Sequence, residues 1–275
     1  MLINVFDNKV YDFYDPLGVR STFILGERKA LLFDTCYGLY NIKEQIDAIT
    51  SLPVTVVNSH GHHDHTGGNY WFEHVYIMPD DMQICKEYLT ANRVKIYETA
   101  IKRSIVITEI SQDDYIHEQA GYLLPLSEGV IELGGVTVHI IHLPGHTKGS
   151  VGLYIPEYRL FLPGDNFNPT TWVFFEECES FDTYYGTLEK ILQYDFDYLL
   201  CPHGHGLLSR SYFKNFVNEL PRSITHSSSP FVQTSTKKPV FRCHPTTETE
   251  FVFDASKLSN EMKSALFTHT SHAKV

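Results

Sequence analysis

A chain of 275 residues is long enough to bury a large core, and its net charge of −11 argues against nucleic acid as the main partner, because phosphate binding needs a basic surface. No apolar run approaches the ~20 residues of a membrane helix, and the N-terminal Met1-Leu2-Ile3-Asn4-Val5-Phe6-Asp7 lacks the basic and apolar regions of a signal peptide. The five cysteines, Cys36, Cys85, Cys178, Cys201 and Cys243, form no C-x-x-C and read as reduced thiols of a cytoplasmic protein, so neither a membrane nor a disulfide framework is expected.

In chain order, the N-terminus reads as a first strand. Residues 21–25 and 30–34 flank Gly26-Glu27-Arg28-Lys29 and predict a hairpin. Asn41 caps a predicted helix with Ile42, Ile46 and Ile49 on one face, and Pro53 prevents its continuation. Val54-Thr55-Val56-Val57 is a short buried strand leading into Ser59-His60-Gly61-His62-His63-Asp64-His65-Thr66-Gly67-Gly68-Asn69. Between 80 and 125, helical spacing of Ile84 and Tyr88 and of Ile96, Ala100 and Ile101, with a helix start at Ser111-Gln112-Asp113-Asp114, predicts two or three inserted helices. A second hairpin turns at Gly134-Gly135, and its outgoing strand runs into Pro144-Gly145-His146.

Residues 151–155 and 159–162 predict another hairpin, ending at Pro163-Gly164-Asp165. A helix is expected from about Thr183 to Gln193 with Leu188, Ile191 and Leu192 inward. Residues 198–201 predict a strand that leads to Pro202-His203-Gly204-His205-Gly206, and a helix over 212–220 follows. From Pro221 the chain turns loop-like, with a last hairpin from 240–243 and 250–253. The expected organisation is a main domain over 1–220, carrying the insertion at 80–125, and a C-terminal extension over 221–275 packed on it.

The chemistry concentrates in His60 to His65, which holds the spacing H-x-H-x-D-H. Imidazole and carboxylate together suit zinc, manganese and iron. In an extended loop His60 and His62 point to one side while Gly61 lets the backbone bend, and Asp64 and His65 are left to reach a second point nearby. His63 stands at an x position and is read as directed away. Three later residues, His146, Asp165 and His205, sit where they can complete a two-metal site. His203 is the one-residue alternative to His205, whose flanking glycines favour it. His139 and His142 read as packed or exposed, and Cys201 as a packing residue.

Five motif positions occur in order, each after a predicted strand: Asp34-Thr35, His60 to His65, Pro144-Gly145-His146-Thr147-Lys148-Gly149-Ser150, Gly164-Asp165 and Gly204-His205-Gly206. On these the chain resembles the metallo-β-lactamase-fold hydrolase superfamily, within its glyoxalase II-like branch. The resemblance implies an α/β fold, a four-layer αββα sandwich, and two divalent metal ions, zinc first, with iron or manganese as alternatives. It implies His60, His62 and His146 on one metal, Asp64, His65 and His205 on the other, and Asp165 between them. It gives Asp34 a supporting role through hydrogen bonds to the metal loop. A metal-bridging hydroxide would be the nucleophile, with Asp64 also available for proton transfer.

The function this implies is dinuclear metal-dependent hydrolysis of a small ester, thioester or lactone. The alternatives are a phosphodiesterase of the same fold and a non-hydrolytic di-iron redox protein. Asp165 argues against antibiotic hydrolysis, because the true β-lactamases of the fold lack an Asp bridge there. Flavodiiron proteins place Glu where His62 stands, and quorum-quenching lactonases place Tyr where Asn168 stands. The expected partner is a small-molecule substrate; a homodimer is left open. The aromatic segment 167–185 is the expected specificity element, with Trp172, Phe174, Tyr184 and Tyr185 proposed to wall the pocket. Core or interface packing is the competing reading for each ring.

Overall fold

A computed structural model describes residues 2–118, 121–204, 206–232 and 238–272. The chain divides into two compact units, Met1–His142 with Val151–Tyr158, and Leu143–Ser150 with Arg159–Val275. The observed fold class is α/β, as the alternation of strand and helix patterns predicts.

In the first unit, β1 (Leu2–Phe6), β2 (Val10–Tyr14), β3 (Arg20–Leu25) and β4 (Ala30–Phe33) form an antiparallel meander. The sheet then changes character. Strands β5 (Val54–Val57), β6 (His74–Ile77) and β7 (Tyr122–Pro125) continue it in parallel, giving seven strands in sequence order. Parallel neighbours need a crossover, which explains where the helices fall. Helix α1 (Ile42–Asp47) lies between β4 and β5, and the short α2 (His63–Thr66) between β5 and β6. Helices α3 (Met82–Lys102) and α4 (Gln112–His117) lie between β6 and β7. The helices expected at 80–125 are therefore the connection that the β6–β7 pairing requires.

Local capping agrees with the sequence. The Asn41 side chain accepts from Glu44 N, and Ser111 accepts from Asp114 N. One core of this unit gathers Phe13, Phe23, Leu32, Ile42, Ile46, Val56 and Val75. The remaining strands of the unit, β8 (Gly129–Glu132), β9 (Thr137–His142) and β10 (Val151–Ile155), pair antiparallel in that order. Gly134 and Gly135 have φ of +90° and +71° in the β8–β9 turn, the left-handed pair that a two-residue hairpin turn demands.

The second unit contains β11 (Leu160–Leu162), β12 (Thr170–Val173), α5 (Phe181–Leu192), β13 (Tyr198–Leu200), β14 (Leu207–Ser209), α6 (Arg210–His226), β15 (Ser229–Pro230), β16 (Val240–Cys243), β17 (Glu250–Asp254) and α7 (Asn260–His272). Strand β13 pairs parallel with β11 and antiparallel with β14. A separate sheet runs β12-β17-β16-β15. The C-terminal hairpin, β16 and β17, is thus bonded directly to β12. Phe167 is a hub of the unit's core, with ring centroids 4.8 Å from Phe213 and 4.9 Å from Phe216. Among the described residues no helix is long and apolar enough to cross a membrane.

One expected boundary moves. The helix expected over 212–220 runs from Arg210 to His226, with Pro221 inside it. Proline in a helix interior removes a donor and normally costs about 3 kcal/mol. The carbonyl left over is that of Val217, four residues back, and the Tyr185 hydroxyl donates to it at 3.3 Å. A side chain from α5 replaces the missing backbone N–H. Tyr185→Phe is expected to lower stability by about 1 kcal/mol, a fall of roughly 2 °C in thermal midpoint, and to leave Pro221→Ala as its suppressor. A thermal melt of the single and double variants checks this; an unchanged midpoint in Tyr185→Phe would remove the explanation.

Candidate metal centre

In the first unit lie the residues of the 60–65 loop. Strand β5 ends at Val57, and Ser59 O accepts from Val151 N at 2.8 Å, so the loop leaves the sheet edge anchored to β10. Asp34, at the end of β4, takes φ of +68°, a left-handed conformation that Asp tolerates better than most residues. Its carboxylate is 1% exposed. It accepts from Ser59 N at 2.6 Å and Ser59 Oγ at 2.8 Å, and lies 2.8 Å from His65 Nδ1. A carboxylate only accepts, so the His65 proton is on Nδ1 and the lone pair is on Nε2. That Nε2 stands 3.6 Å from Asp64 Oδ2.

His60 and His62 converge, with His60 Nε2 3.0 Å from His62 Nδ1. Ser59 Oγ lies 2.9 Å from His60 Nδ1. Gly61 between them admits no side chain, because a Cβ would lie 2.8 Å from Asp81 O and 2.9 Å from Cys85 N. Its N–H donates to Asp81 Oδ2 at 2.8 Å. The His65 carbonyl accepts from Thr35 N at 2.9 Å and from Asn58 Nδ2 at 3.0 Å, and Asn58 and Asn69 bond each other. Asp81, Asn58 and Asn69 were not legible as site residues. Asn69 closes the motif stretch, but nothing in the sequence ties Asp81 to Gly61. His63 opens α2, and its ring lies nearly parallel to that of Tyr88 with centroids 5.8 Å apart. Burial lowers its pKa, keeping it neutral as a packed ring.

In the second unit lie His146, Asp165 and His203. His146 sits in a tight loop held by Asn166, whose Oδ1 accepts from His146 N at 3.0 Å and whose Nδ2 donates to Leu143 O at 2.9 Å. The Tyr184 hydroxyl donates to Asn166 O at 2.8 Å. His146 Nδ1 is 2.8 Å from Trp172 O, an acceptor, so here too the proton is on Nδ1 and Nε2 carries the lone pair. The two carboxylate oxygens of Asp165 face different histidines: Oδ2 is 3.6 Å from His146 Nε2, and Oδ1 is 3.5 Å from His203 Nε2. Asn168 braces both partners, donating to Asp165 Oδ1 and accepting from His203 N, each at 3.0 Å. His205 lies outside the described residues.

These spacings fit a divalent ion. Separations of 3.5–3.6 Å between imidazole nitrogen and carboxylate oxygen are too long for hydrogen bonds. Two ligands at about 2.1 Å from one tetrahedral ion stand roughly 3.4 Å apart. In the donor set of imidazole and carboxylate, the Nδ1 protons of His65 and His146 are pinned by oxygen acceptors, which leaves each Nε2 unprotonated with its lone pair available to a metal.

The rings expected to wall a pocket are distributed unequally. Tyr184 and Phe174 are buried at 0% and 1% exposure. Tyr185 is bonded to the α6 backbone. Trp172 is 41% exposed.

A family model described as the metallo-beta-lactamase superfamily matches residues 14–205, more than half of the chain. The chain belongs to this superfamily. Members it is similar to include the acyl-coenzyme A thioesterase MBLAC2 of Bos taurus, 23% identical over 189 residues, with 62% of this chain and 66% of that protein covered. The probable metallo-hydrolase YqgX of Bacillus subtilis (strain 168) is 23% identical over 155 residues, covering 54% of this chain and 66% of that protein. The chain spans two thirds or less of the length of these curated relatives. Among solved structures, TTHA1623 in a di-iron-bound form superposes with a TM-score of 0.51 at 21% identity, covering 71% of this chain and 91% of that one. At that identity the likeness shows the fold alone. These superfamily relatives do not single out the glyoxalase II-like branch.

Proposed function

We propose that the chain is a dinuclear metal-dependent hydrolase that opens an acyl thioester, or the related ester or lactone. One ion would be held by His60, His62 and His146, and the other by Asp64, His65 and His203, with Asp165 shared between them. His203 is put in the last ligand place on the support that its Nε2 faces Asp165 Oδ1, with His205, which lies outside the described residues, as the alternative. The observation that carries the reading is Asp165 itself: its two oxygens face two separate histidines, the arrangement of a carboxylate shared by two ions. Membership of the superfamily and the thioesterase and metallo-hydrolase names of relatives support hydrolysis, and the thioesterase name favours the thioester.

Divalent ions, zinc first, would supply Lewis acidity and lower the pKa of water at neutral pH. The chain's own residues do the rest. Asp34 fixes the His65 tautomer, and the Trp172 carbonyl fixes that of His146. Asp64, 17% exposed, would take a proton on its carboxylate and return it to the leaving group.

The purified protein is expected to carry two equivalents of divalent metal and to cleave acyl thioesters faster than phosphodiesters. Chelation should abolish turnover and zinc should restore it. Metal analysis with a panel of thioesters, esters, lactones and phosphodiesters decides the matter. Phosphodiester cleavage alone, or a redox-active iron pair without hydrolysis, would replace this reading with one of its alternatives.

A further inference from the structure

Trp172 is out of place for a strand residue next to a metal ligand. Its neighbours Thr171 and Val173 are buried at 0% and 3%, while its own large ring is 41% exposed. Strand alternation turns it outward, and pairing of β12 with β17 holds it there. Its backbone carbonyl meanwhile holds the His146 imidazole. One residue thus orients a ligand with its main chain and shows an indole to solvent with its side chain.

The exposed ring is not isolated. Its centroid is 5.4 Å from that of Phe174 and 6.2 Å from that of Phe175. Phe175 stands edge-on to His146, with centroids 5.9 Å apart and planes at 83°. Phe174 is the rigid backing, packed with Val240 and Val252. The rings therefore run from exposed Trp172, on β12, through Phe174 and Phe175, just past its end, to the candidate ligand. Acidic side chains outnumber basic ones beside them: Glu176, Glu177 and Glu179 follow directly, against Lys257, whose Nζ donates to the Glu176 and Cys178 carbonyls. An anionic group is repelled there, whereas an uncharged hydrocarbon gains the area of the rings.

We propose that Trp172 and Phe175 form an apolar wall beside His146 that binds the acyl part of the substrate, and that the preferred substrates carry long, uncharged acyl chains. The proposal deepens the hydrolase reading and rests on it. Trp172 and Phe175 set specificity by contact with the chain; Phe174 positions them.

The test uses acyl thioesters with acyl chains of increasing length, together with an unreactive ketone, 2-tridecanone, which is a dodecanoyl group with a methyl in place of the thioester sulfur. In the metal-loaded protein, kcat/KM is expected to rise by up to about fourfold per added methylene, mainly through KM. In Trp172→Ala that gain should fall below about twofold per methylene, and Trp172→Phe should recover most of it. Trp172 is one of two tryptophans, so in a Trp71→Phe background its emission should shift to the blue when 2-tridecanone binds. An equal chain-length gain in the parent and in Trp172→Ala, or a preference for succinyl over octanoyl thioesters, overturns the wall. If no ester of any kind is hydrolysed but the ketone still shifts Trp172 emission, the hydrolase reading fails and the wall stands. If hydrolysis proceeds and neither chain length nor emission involves Trp172, the wall fails and the hydrolase reading stands.

Discussion

Alanine at Asp165 is expected to leave the protein unable to keep both metal ions and to remove nearly all of its turnover. The physical reason is that the two oxygens of Asp165 face two different histidine neighbours, at 3.5 and 3.6 Å. Removing it leaves each ion one anionic ligand short, in a region whose remaining donors are largely neutral imidazoles. The loss of kcat/KM should exceed the ~10- to 100-fold typical of residues that only support a ligand. Asp165→Asn is the sharper variant. It keeps the shape and an oxygen for one histidine, but puts an amide NH2, a donor, where the other oxygen would meet an ion. Metal content should fall from two equivalents toward one in Asp165→Asn, with turnover reduced alongside. Elemental analysis of the purified variants, beside thioester turnover, reads both quantities. Two retained equivalents in Asp165→Ala would mean that Asp165 is not a ligand.

The second large effect is expected at Asp34, and two substitutions separate its structural and chemical roles. Asp34→Ala leaves the buried Ser59 N–H, Ser59 hydroxyl and His65 Nδ1–H without their acceptor. An unsatisfied buried donor costs about 1–3 kcal/mol. The Ser59 hydroxyl keeps an alternative partner in His60 Nδ1 at 2.9 Å, so about 3–5 kcal/mol in total is expected. Alanine also fits the left-handed backbone at φ +68° worse than aspartate does, by about 1 kcal/mol.

Asparagine tolerates that backbone and keeps one oxygen for Ser59 N, so Asp34→Asn should be close to the parent in thermal stability. Its NH2 group, however, now faces His65 Nδ1. The imidazole escapes two opposed donors by moving its proton to Nε2, the atom that a metal needs. Zinc affinity, measured by competition with a chromophoric chelator, is expected to fall about 10- to 100-fold in Asp34→Asn while the melting temperature barely moves. Parent-like zinc affinity in Asp34→Asn would show that the carboxylate acts through stability alone.

Much of the local architecture could be read directly from residue spacing. The caps at Asn41 and Ser111 and the Gly134-Gly135 turn are interactions among residues a few positions apart, so the sequence contains both partners side by side. The same holds for His60, Gly61, His62, Asp64 and His65, whose convergence needs only a strand end and a tight loop. The length of α6 was not readable in this way. Pro221 is a stop signal to any local rule, and the donor that cancels it, Tyr185, lies 32 residues from Val217.

The supporting residues of the site follow the same division. Asp34 was reached through the family motif, while Asp81, Asn58, Asn69 and Asn168 hold the ligands through bonds that no motif marks. The aromatic segment is the clearest case. Phe174, Tyr184 and Trp172 are chemically alike in sequence, yet two are core and one is exposed. Trp172 is turned out by the pairing of β12 with β17, a strand about eighty positions further on, whereas Phe174, just past β12, packs with Val240 and Val252, and Tyr184, on α5, stacks on Phe251. By itself the sequence determined the superfamily, the α/β class and the chemistry of the metal loop, because ligand type and short-range spacing are local properties. The partners of the ligands, the approach of His203 to Asp165 and the outward turn of Trp172 were decided only by tertiary structure, because each depends on which distant backbone closes one side and leaves the other open.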